Sequence, residues 1–238
     1  SFDIIATENN TMITITPINP IIGHGANTPF TITLHKGQTF NCMATSQANT
    51  MHLVGSHVVS TKPIAITISD DLLQVGNLAD LCGDQAIPTT RIGKEYIAIK
   101  SQLNNNLKCL FITATQNNTK IYFDGSTTAT TTLNTGQTYS TYINNASTYI
   151  KADKDIYVTQ LAGVGGELGM AVLPYIPCTG SKKVSYKRAT NRPLDFCILV
   201  KNGAQGSFVF NGSSSVINAS SFTAVPGTNG DWLAARIP

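Results

Sequence analysis

Residues 6–16 read ATENNTMITIT, a pair of asparagines followed by a run in which threonine alternates with apolar residues. Threonine and isoleucine at this spacing fit a pleated, half-buried strand. Residues 31–34 (TITL) and 64–68 (IAITI) show the same pattern. The best helical stripe, residues 71–81, contains Gly76 and indicates a turn or at most one short helix. The sequence therefore predicts an all-β fold.

Three segments of the first half of the chain recur, in the same order, in the second half. Such self-similarity is typical of repeated structural units. A fourth match indicates a third, incomplete copy. The matched pairs are residues 6–11 (ATENNT) and 114–119 (ATQNNT), 34–40 (LHKGQTF) and 133–139 (LNTGQTY), 59–67 (VSTKPIAIT) and 151–159 (KADKDIYVT), and, for the third copy, 120–126 (KIYFDGS) and 207–213 (SFVFNGS).

The residues at the predicted turns suit short connections between strands. Asn9–Asn10 and Asn117–Asn118 tolerate positive φ, and Gly37 and Gly136 adopt it without steric cost. Pro63 begins a strand, where its missing N–H is not needed. We therefore expect tandem antiparallel β-sandwich or jelly-roll-like units built from successive hairpins, with a β-propeller as the alternative fold.

The repeats divide the chain into five segments that we expect to pack as one body. The two connectors carry apolar residues beside prolines, which is typical of an ordered crossing and not of a flexible linker. The predicted segments are a first β unit (1–80), an ordered connector with a strand (81–107), a second β unit (108–168), a second connector (169–190) and a third, incomplete β unit (191–238).

Charge is scarce, since only 12% of the 238 residues are charged and the formal charge is +3. The longest basic run is Lys182–Lys183, so nucleic-acid binding through phosphates is not expected. Apolar stretches are far shorter than the roughly 20 residues that cross a bilayer, so membrane insertion is not expected either. Because neither end carries a sorting signal, we expect an internal fragment of a larger protein.

Several short segments follow one another in a characteristic order. They are residues 6–8 (ATE) with Thr11, 37–39 (GQT), 59–65 (VSTKPIA), 82–85 (CGDQ) with Pro88, and 93–96 (GKEY). This order resembles the IgGFc-binding protein N-terminal domain family. Four later segments resemble its bacterial branch, which occurs in large surface or secreted proteins of gliding Bacteroidetes-type bacteria. They are residues 173–174 (LP), 178–181 (CTGS), 210–212 (FNG) and 222–228 (FTAVPGT).

The resemblance implies a non-enzymatic extracellular or cell-surface binding or adhesion module of a larger secreted bacterial protein. The mammalian member that binds the Fc part of IgG is a mucus glycoprotein, and the bacterial members resemble adhesin or matrix modules. The implied partners are a protein or glycan on a surface or in mucus, and other domains of the parent chain. No catalytic residue and no cofactor is implied. The alternatives are a carbohydrate-binding or carbohydrate-active domain, and a component or cargo of a bacterial secretion or gliding-motility machine.

Five cysteines cannot all pair within one chain, and none has the spacing of a zinc site. In an exported protein one or two disulfides can form, with Cys82 and Cys178 in equivalent connectors and Cys109 and Cys197 in the opening strands of later units. Buried free thiols are the equal alternative. Animal members of the family have a Cys where this chain has residues 69–71 (SDD), which leaves the partner of Cys82 open.

Asp70, Asp71 and Asp84 flank the first connector and are weak candidates for Ca²⁺ ligands. No Asp-x-Asp-x-Asp-Gly loop accompanies them, so solvated carboxylates, or carboxylates hydrogen-bonded to backbone amides, are favoured. The histidines all fall in the first unit and are interpreted as surface or loop residues. We therefore predict no metal site.

Six aromatic residues of the second and third units can form a sugar-binding platform. Packing along and between strands is the favoured interpretation, because singly exposed aromatic residues are common. No Gly-x-Ser-x-Gly segment and no catalytic cysteine context is present, and we predict no enzyme. The six residues are Tyr122, Tyr139, Tyr142, Tyr149, Tyr157 and Trp232.

Overall fold

The computed structural model describes residues 1–75, 78–103, 107–165, 167–187 and 194–238. Within these ranges the chain is built of β-strands, and its helical residues are confined to short 3₁₀ turns, which confirms the all-β prediction. No helix of the described part is long and apolar enough to cross a membrane. The 3₁₀ turns are Asn49–Met51, Thr89–Arg91, Ile176–Cys178 and Ala219–Ser221.

The first unit contains β1 (Phe2–Ala6), β2 (Thr11–Thr16), β3 (Phe30–Leu34), β4 (Thr39–Cys42), β5 (His57–Ser60), β6 (Ile64–Val75) and β7 (Leu78–Gln85). These strands form two antiparallel sheets, with the orders β4-β1-β6-β7 and β3-β2-β5. Period-two alternation sends Phe2 and Ile4 of one sheet, and Ile13 and Ile15 of the other, into a shared core. The unit is therefore a β-sandwich. Residues 71–75 and 78–81 are strand where the sequence indicated a turn or short helix, and Gly76 lies outside the described residues.

The second unit contains β8 (Gly93–Ile99), β9 (Gln102–Leu103), β10 (Leu110–Ala114), β11 (Thr119–Phe123), β12 (Thr131–Leu133), β13 (Thr138–Thr141), β14 (Ser147–Gly165) and β15 (Glu167–Val172). Its strands repeat the pairing of the first unit, since β10 pairs with β13 and β14 as β1 pairs with β4 and β6. Likewise β11 pairs with β12 and β14 as β2 pairs with β3 and β5. The registers agree as well, because Ile4 lies opposite Phe40 and Ile112 lies opposite Tyr139. The prediction of tandem β-sandwich units is confirmed.

One long strand, β14, takes the place of both β5 and β6. Its first part pairs with β11 and β8, and its second part pairs with β10 and β15. In the first unit the chain leaves the sheet at Pro63, which has no N–H for the ladder, whereas Asp155 stands at the matching position of β14. The strand therefore continues in the second unit, with a register shift between Lys151 and Ile156.

The predicted turns have the expected backbone but are not hairpins. Asn10, Asn118, Gly37 and Gly136 have φ values of 55°, 56°, 82° and 78°. In the first unit the Asn-Asn turn leads from β1 in one sheet to β2 in the other, and the glycine turn leads from β3 to β4. The turns are therefore corners between two layers, since β1 pairs with β4 and β6 and not with β2.

The same hydrogen bonds close these corners in both units. Thr11 Oγ1 donates to Glu8 O at 2.8 Å, and Thr119 Oγ1 donates to Gln116 O at 2.7 Å. The repeated sequence motif is explained by this corner geometry, in which an internal hydroxyl and a lysine satisfy the turn carbonyls. The lysine bonds, each 2.5 Å long, run from Lys62 Nζ to Asn9 O and from Lys154 Nζ to Asn117 O.

The first and second units meet where β7 lies beside β15. Asp80 Oδ2 accepts a hydrogen bond from Leu168 N at 2.8 Å, and Asp84 Oδ2 accepts one from Val172 N at 2.7 Å. Side-chain carboxylates thus satisfy N–H groups at the edge of β15 that would otherwise be open to another strand. The division into the five predicted segments stays a prediction, and its last boundary falls in residues 188–193, outside the described part.

The third unit contains β16 (Phe196–Lys201), β17 (Thr223–Ala224) and β18 (Trp232–Ile237), in the order β16-β18-β17. It packs on β8, whose side chains alternate between two cores. Tyr96 lies in the core of the second unit, whereas Ile97 and Ile99 pack against Val225 and Ala234 of the third unit. Both faces of β8 are therefore covered, and the third unit packs on the second through this strand.

Candidate binding groove

The outer face of β11, β14 and β8 forms the floor of an open groove. Three side chains stand in a row across these strands, because Tyr122 lies opposite Lys151 and Lys151 lies opposite Glu95. Alternation turns them away from the core, since their neighbours Ile121 and Ile150 are fully buried. The floor therefore presents an aromatic ring and two opposite charges to solvent.

The next row of side chains is covered by the third unit. Tyr149 lies opposite Ile97, and both pack against Val225 and Ala234. The Tyr149 hydroxyl lies close to the Glu95 carboxylate. Burial, and then the Glu95 charge, raise the pKa of Tyr149 to about 12. The groove therefore begins beside this row, at the part of the outer face that the third unit does not cover.

A tight turn after β11 forms one wall of the groove. Asp124 and Gly125 have φ values of 50° and 80°, the left-handed conformation that such turns need. Asp124 Oδ1 accepts a hydrogen bond from Tyr149 N at 2.9 Å, which ties the turn to β14. Gly227 of the third unit comes so close that a Cβ there would lie 2.2 Å from the carbonyl carbon of Asp124. This contact requires glycine and fixes the third unit against the turn.

Residues 228–232 of the third unit form the facing wall. Thr228 Oγ1 donates to Val225 O at 2.9 Å, and Asp231 N donates to Thr228 O at 3.0 Å, which holds the segment as a compact loop. Trp232 and Ile176 complete the wall, and the cavity has a volume of about 760 Å³. Binding sites for small ligands span roughly 300–1,000 Å³, so the groove can hold a side chain with its flanking backbone.

A second cavity, of about 810 Å³, adjoins the groove. The two share Ile176, Asn229, Asp231 and Trp232. Lys201 lines only the second cavity, and its Nζ lies 5.8 Å from the centroid of the Trp232 ring in a cation–π contact. Trp232 therefore borders both cavities.

The groove concentrates negative charge. Four carboxylates line it against one lysine, Lys151, a formal charge of −3 on a chain whose total is +3. Lys151 Nζ lies 3.8 Å from Glu95 Oε1, and the two side chains are 56% and 44% exposed. The lining can therefore bind through charge, hydrogen bonds and aromatic faces together. The carboxylates are those of Glu95, Asp124, Asp153 and Asp231.

A family model described as IgGFc binding protein matches residues 1–238. The chain belongs to the IgGFc-binding protein family. No curated protein and no solved structure matches it. The family is one of binding domains, so its match across this sequence supports a protein-binding module and gives no evidence of an enzyme.

In this IgGFc-binding family member the weak Ca²⁺ candidates lie away from the groove. Asp70 Oδ2 lies 3.3 Å from His52 Nδ1, Asp84 binds the backbone of β15 at Val172, and the side chain of Asp71 is outside the described residues. In the part of the chain that the structure describes, no three His, Cys, Asp or Glu side chains are placed to hold a metal ion. The two described aspartates are engaged in contacts within the protein.

The cysteines of this family member are free thiols in the structure. Cys82 is buried on β7, Cys109 is half-buried before β10, and Cys178 and Cys197 are exposed. Disulfide pairing among these four stays a prediction. Cys42 lies fully buried in the first core, and burial raises its pKa to about 12, which keeps that thiol protonated and unreactive.

Three of the six aromatic residues converge on the groove: Tyr122, Tyr149 and Trp232. The other three do not. Packing was the favoured interpretation for all six, because the sequence does not show that the third unit lies over β8. Tyr139 lies 6.2 Å from Phe123 between ring centroids, Tyr157 donates a hydrogen bond to Ile87 O, and Tyr142 is exposed.

The carboxylates of the groove were not identified as site residues from the sequence. Asp124 carries the clearest local signal, since Asp-Gly is a preferred sequence for a tight turn with two positive φ values. The outward direction of Glu95 follows from alternation once residues 93–99 are assigned to a strand. Asp231 has no such signal, because its place depends on how the third unit packs.

Proposed function

We propose that this chain is a non-enzymatic binding module that works outside the cell or at the cell surface, for adhesion, as part of a larger exported protein. The observation that carries the proposal is the polar groove between the second and third units. It lies in a chain that matches a family of binding domains over residues 1–238. The segments at 173–174, 178–181, 210–212 and 222–228 support the bacterial, Bacteroidetes-type branch of that family.

Rigid elements position the groove. Its floor lies on three hydrogen-bonded strands, and the Asp124–Tyr149 hydrogen bond and the Gly227 contact hold its walls. A preformed site loses little conformational entropy on binding, so more of the contact energy remains as affinity. This favours recognition of a protein segment by a fixed surface.

The groove carboxylates suit binding better than catalysis. Asp124 Oδ1 and Asp153 Oδ1 accept hydrogen bonds from the backbone N–H groups of Tyr149 and Lys120. Glu95 lies near the Tyr149 hydroxyl and near Lys151. A glycoside-cleaving pair needs one carboxyl group that gives up a proton and a second that faces it across the substrate. Three of the four groove carboxylates are thus held by contacts within the protein, which leaves them poorly placed to act as such a pair.

A glycan is the alternative ligand, and the rings of Tyr122 and Trp232 in the groove favour it. Such rings offer flat apolar faces beside hydrogen-bonding groups, which suits sugar rings as well as protein side chains. Removing the glycans from a glycoprotein ligand separates the two possibilities.

The test is surface binding of the purified chain to IgG Fc, to mucin and to mucin stripped of its glycans. We expect saturable, reversible binding to at least one of these proteins, about tenfold weaker with Tyr122→Ala and unchanged with Tyr142→Ala, a tyrosine exposed outside the groove. Binding to intact mucin alone assigns a glycan ligand. Cleaved product after incubation, or equal binding by both variants, overturns the proposal.

A further inference from the structure

We infer that the groove receives a basic side chain, above all arginine, from an extended segment of the protein partner. This rests on the proposed function, because it names the chemistry of the partner that the module binds. The cation lies between the rings of Tyr122 and Trp232, and the carboxylates of Glu95 and Asp231 meet its charge.

Charge complementarity favours a cation in the groove. The groove lining carries −3 on a chain of +3, so the rest of the molecule carries a surplus of positive charge and the negative charge is local. A cleft lined by one sign of charge between low-dielectric walls raises the local concentration of oppositely charged groups. A cationic segment is therefore drawn to this groove more strongly than to the rest of the surface.

The groove carboxylates also retain acceptor capacity. Asp124 and Asp153 each use one oxygen for a backbone N–H and keep the other. The Asp231 carboxylate makes no hydrogen bond or ion pair within the described part of the chain. These oxygens can accept the forked N–H groups of a guanidinium, which prefers two parallel hydrogen bonds to a carboxylate.

The aromatic wall already binds a cation of this chain. Lys201 Nζ lies over the Trp232 ring from the side of the second cavity. The groove meets the same residue, together with Tyr122. A guanidinium stacks on aromatic faces more readily than an ammonium does, so arginine is preferred to lysine.

Lys151 offers a test in which binding should improve. It stands in the middle of the floor, 56% exposed and 3.8 Å from Glu95, with which an arriving arginine would pair. Because like charges repel, the lysine weakens binding of a cation. Its replacement by glutamine therefore strengthens binding of a basic segment, whereas binding of a neutral ligand would not gain.

Trp232 is the only tryptophan of the chain, so its fluorescence reports occupancy of the groove without a label. The probe is a glycine-rich peptide with one central arginine and blocked ends, and its matched control carries citrulline, the neutral isostere, in place of arginine. We expect a saturable change in Trp232 emission that is at least about tenfold weaker with citrulline and that weakens with added salt.

Four variants, one of them a control, complete the test. Asp231→Asn and Glu95→Gln should each weaken binding of the arginine peptide about three- to tenfold, and Lys151→Gln should strengthen it about threefold. Glu8→Gln, an exposed carboxylate of the first unit, should leave it unchanged. Equal affinity for the citrulline peptide, a loss with Lys151→Gln, or an equal Trp232 response to neutral oligosaccharides overturns the inference. If the chain still binds Fc or mucin in that case, the proposed function stands; if neither binds, both fail.

Discussion

The outer faces of two matching sheets, β3-β2-β5 in the first unit and β12-β11-β14 in the second, differ although their strands pair in the same way. The face of the first unit is neutral, and Met12 and Val59 are 52% and 53% exposed on it. The face of the second unit carries charges and a tyrosine. The matched outward residues are Met12 and Lys120, Thr14 and Tyr122, Val59 and Lys151, and Thr61 and Asp153.

The inward positions of the same strands have changed much less. Ile13 of β2 and Ile121 of β11 match and are both fully buried, because each fills a core that tolerates little change in volume. The outward positions carry no such constraint. The scaffold is therefore kept by its inner faces, whereas the groove depends on different outward side chains and on two further parts, β8 and the third unit.

The largest loss of stability is expected where Gly227 of the third unit contacts the turn after β11. Gly227→Ala places a Cβ 2.2 Å from the backbone of Asp124 in a residue with φ of +75°. Overpacking and the left-handed backbone together should lower the free energy of unfolding by about 3 kcal/mol or more. Urea denaturation followed by Trp232 emission measures this.

The matched control is Gly230→Ala, which has φ of +81° but open space around the new Cβ. This variant should lose only about 1 kcal/mol, the cost of the backbone conformation alone. If the two variants lose the same stability, the Gly227 contact does not hold the third unit against the turn after β11. The wall of the groove must then be held in another way.

The next effect concerns alkaline stability and the buried Tyr96 of β8, a strand without a counterpart in the first unit. Its hydroxyl donates to Ile156 O at 2.6 Å and accepts from Gly93 N at 3.1 Å, and burial raises its pKa to about 12. Between pH 10 and 12 the unfolded chain loses this proton while the folded chain keeps it, so stability is full below pH 10 and falls as the pH rises.

Tyr96→Phe removes the part of this pH dependence that Tyr96 contributes. At pH 8 the variant should be about 2 kcal/mol less stable, because two hydrogen bonds are lost. Above pH 10 the Tyr96 hydroxyl makes the wild-type chain lose about 1.4 kcal/mol per pH unit more than the variant, so the difference should close near pH 11.5. Urea denaturation from pH 8 to 11.5 checks this. A constant difference across the range would contradict a raised pKa.

Alternation and repetition made much of the fold predictable, because both are local patterns. The strands around Ile13 and Ile121, and the positive φ of Asn118 and Gly136, follow from residue type alone. The corners were expected as hairpins, since a turn sequence reports its backbone and not which layer the next strand joins. The groove could not be predicted, because Glu95, Tyr122 and Trp232 meet only through pairing between distant strands and through the packing of the third unit.

The smallest effect tests whether the two units are truly alike beneath their different faces. Thr11 and Thr119 are fully buried and donate equivalent hydrogen bonds, to Glu8 O and Gln116 O. Thr11→Val and Thr119→Val keep the shape and remove the bond, so each should cost about 1 kcal/mol. Thr14→Val, on the neutral outer face where the Thr14 and Thr31 hydroxyls are 3.0 Å apart, should cost less than about 0.5 kcal/mol. A large loss at one corner and none at the other would show that the shared motif does not stabilise the two units in the same way. The outer faces of the two units could then no longer be compared as two versions of one scaffold.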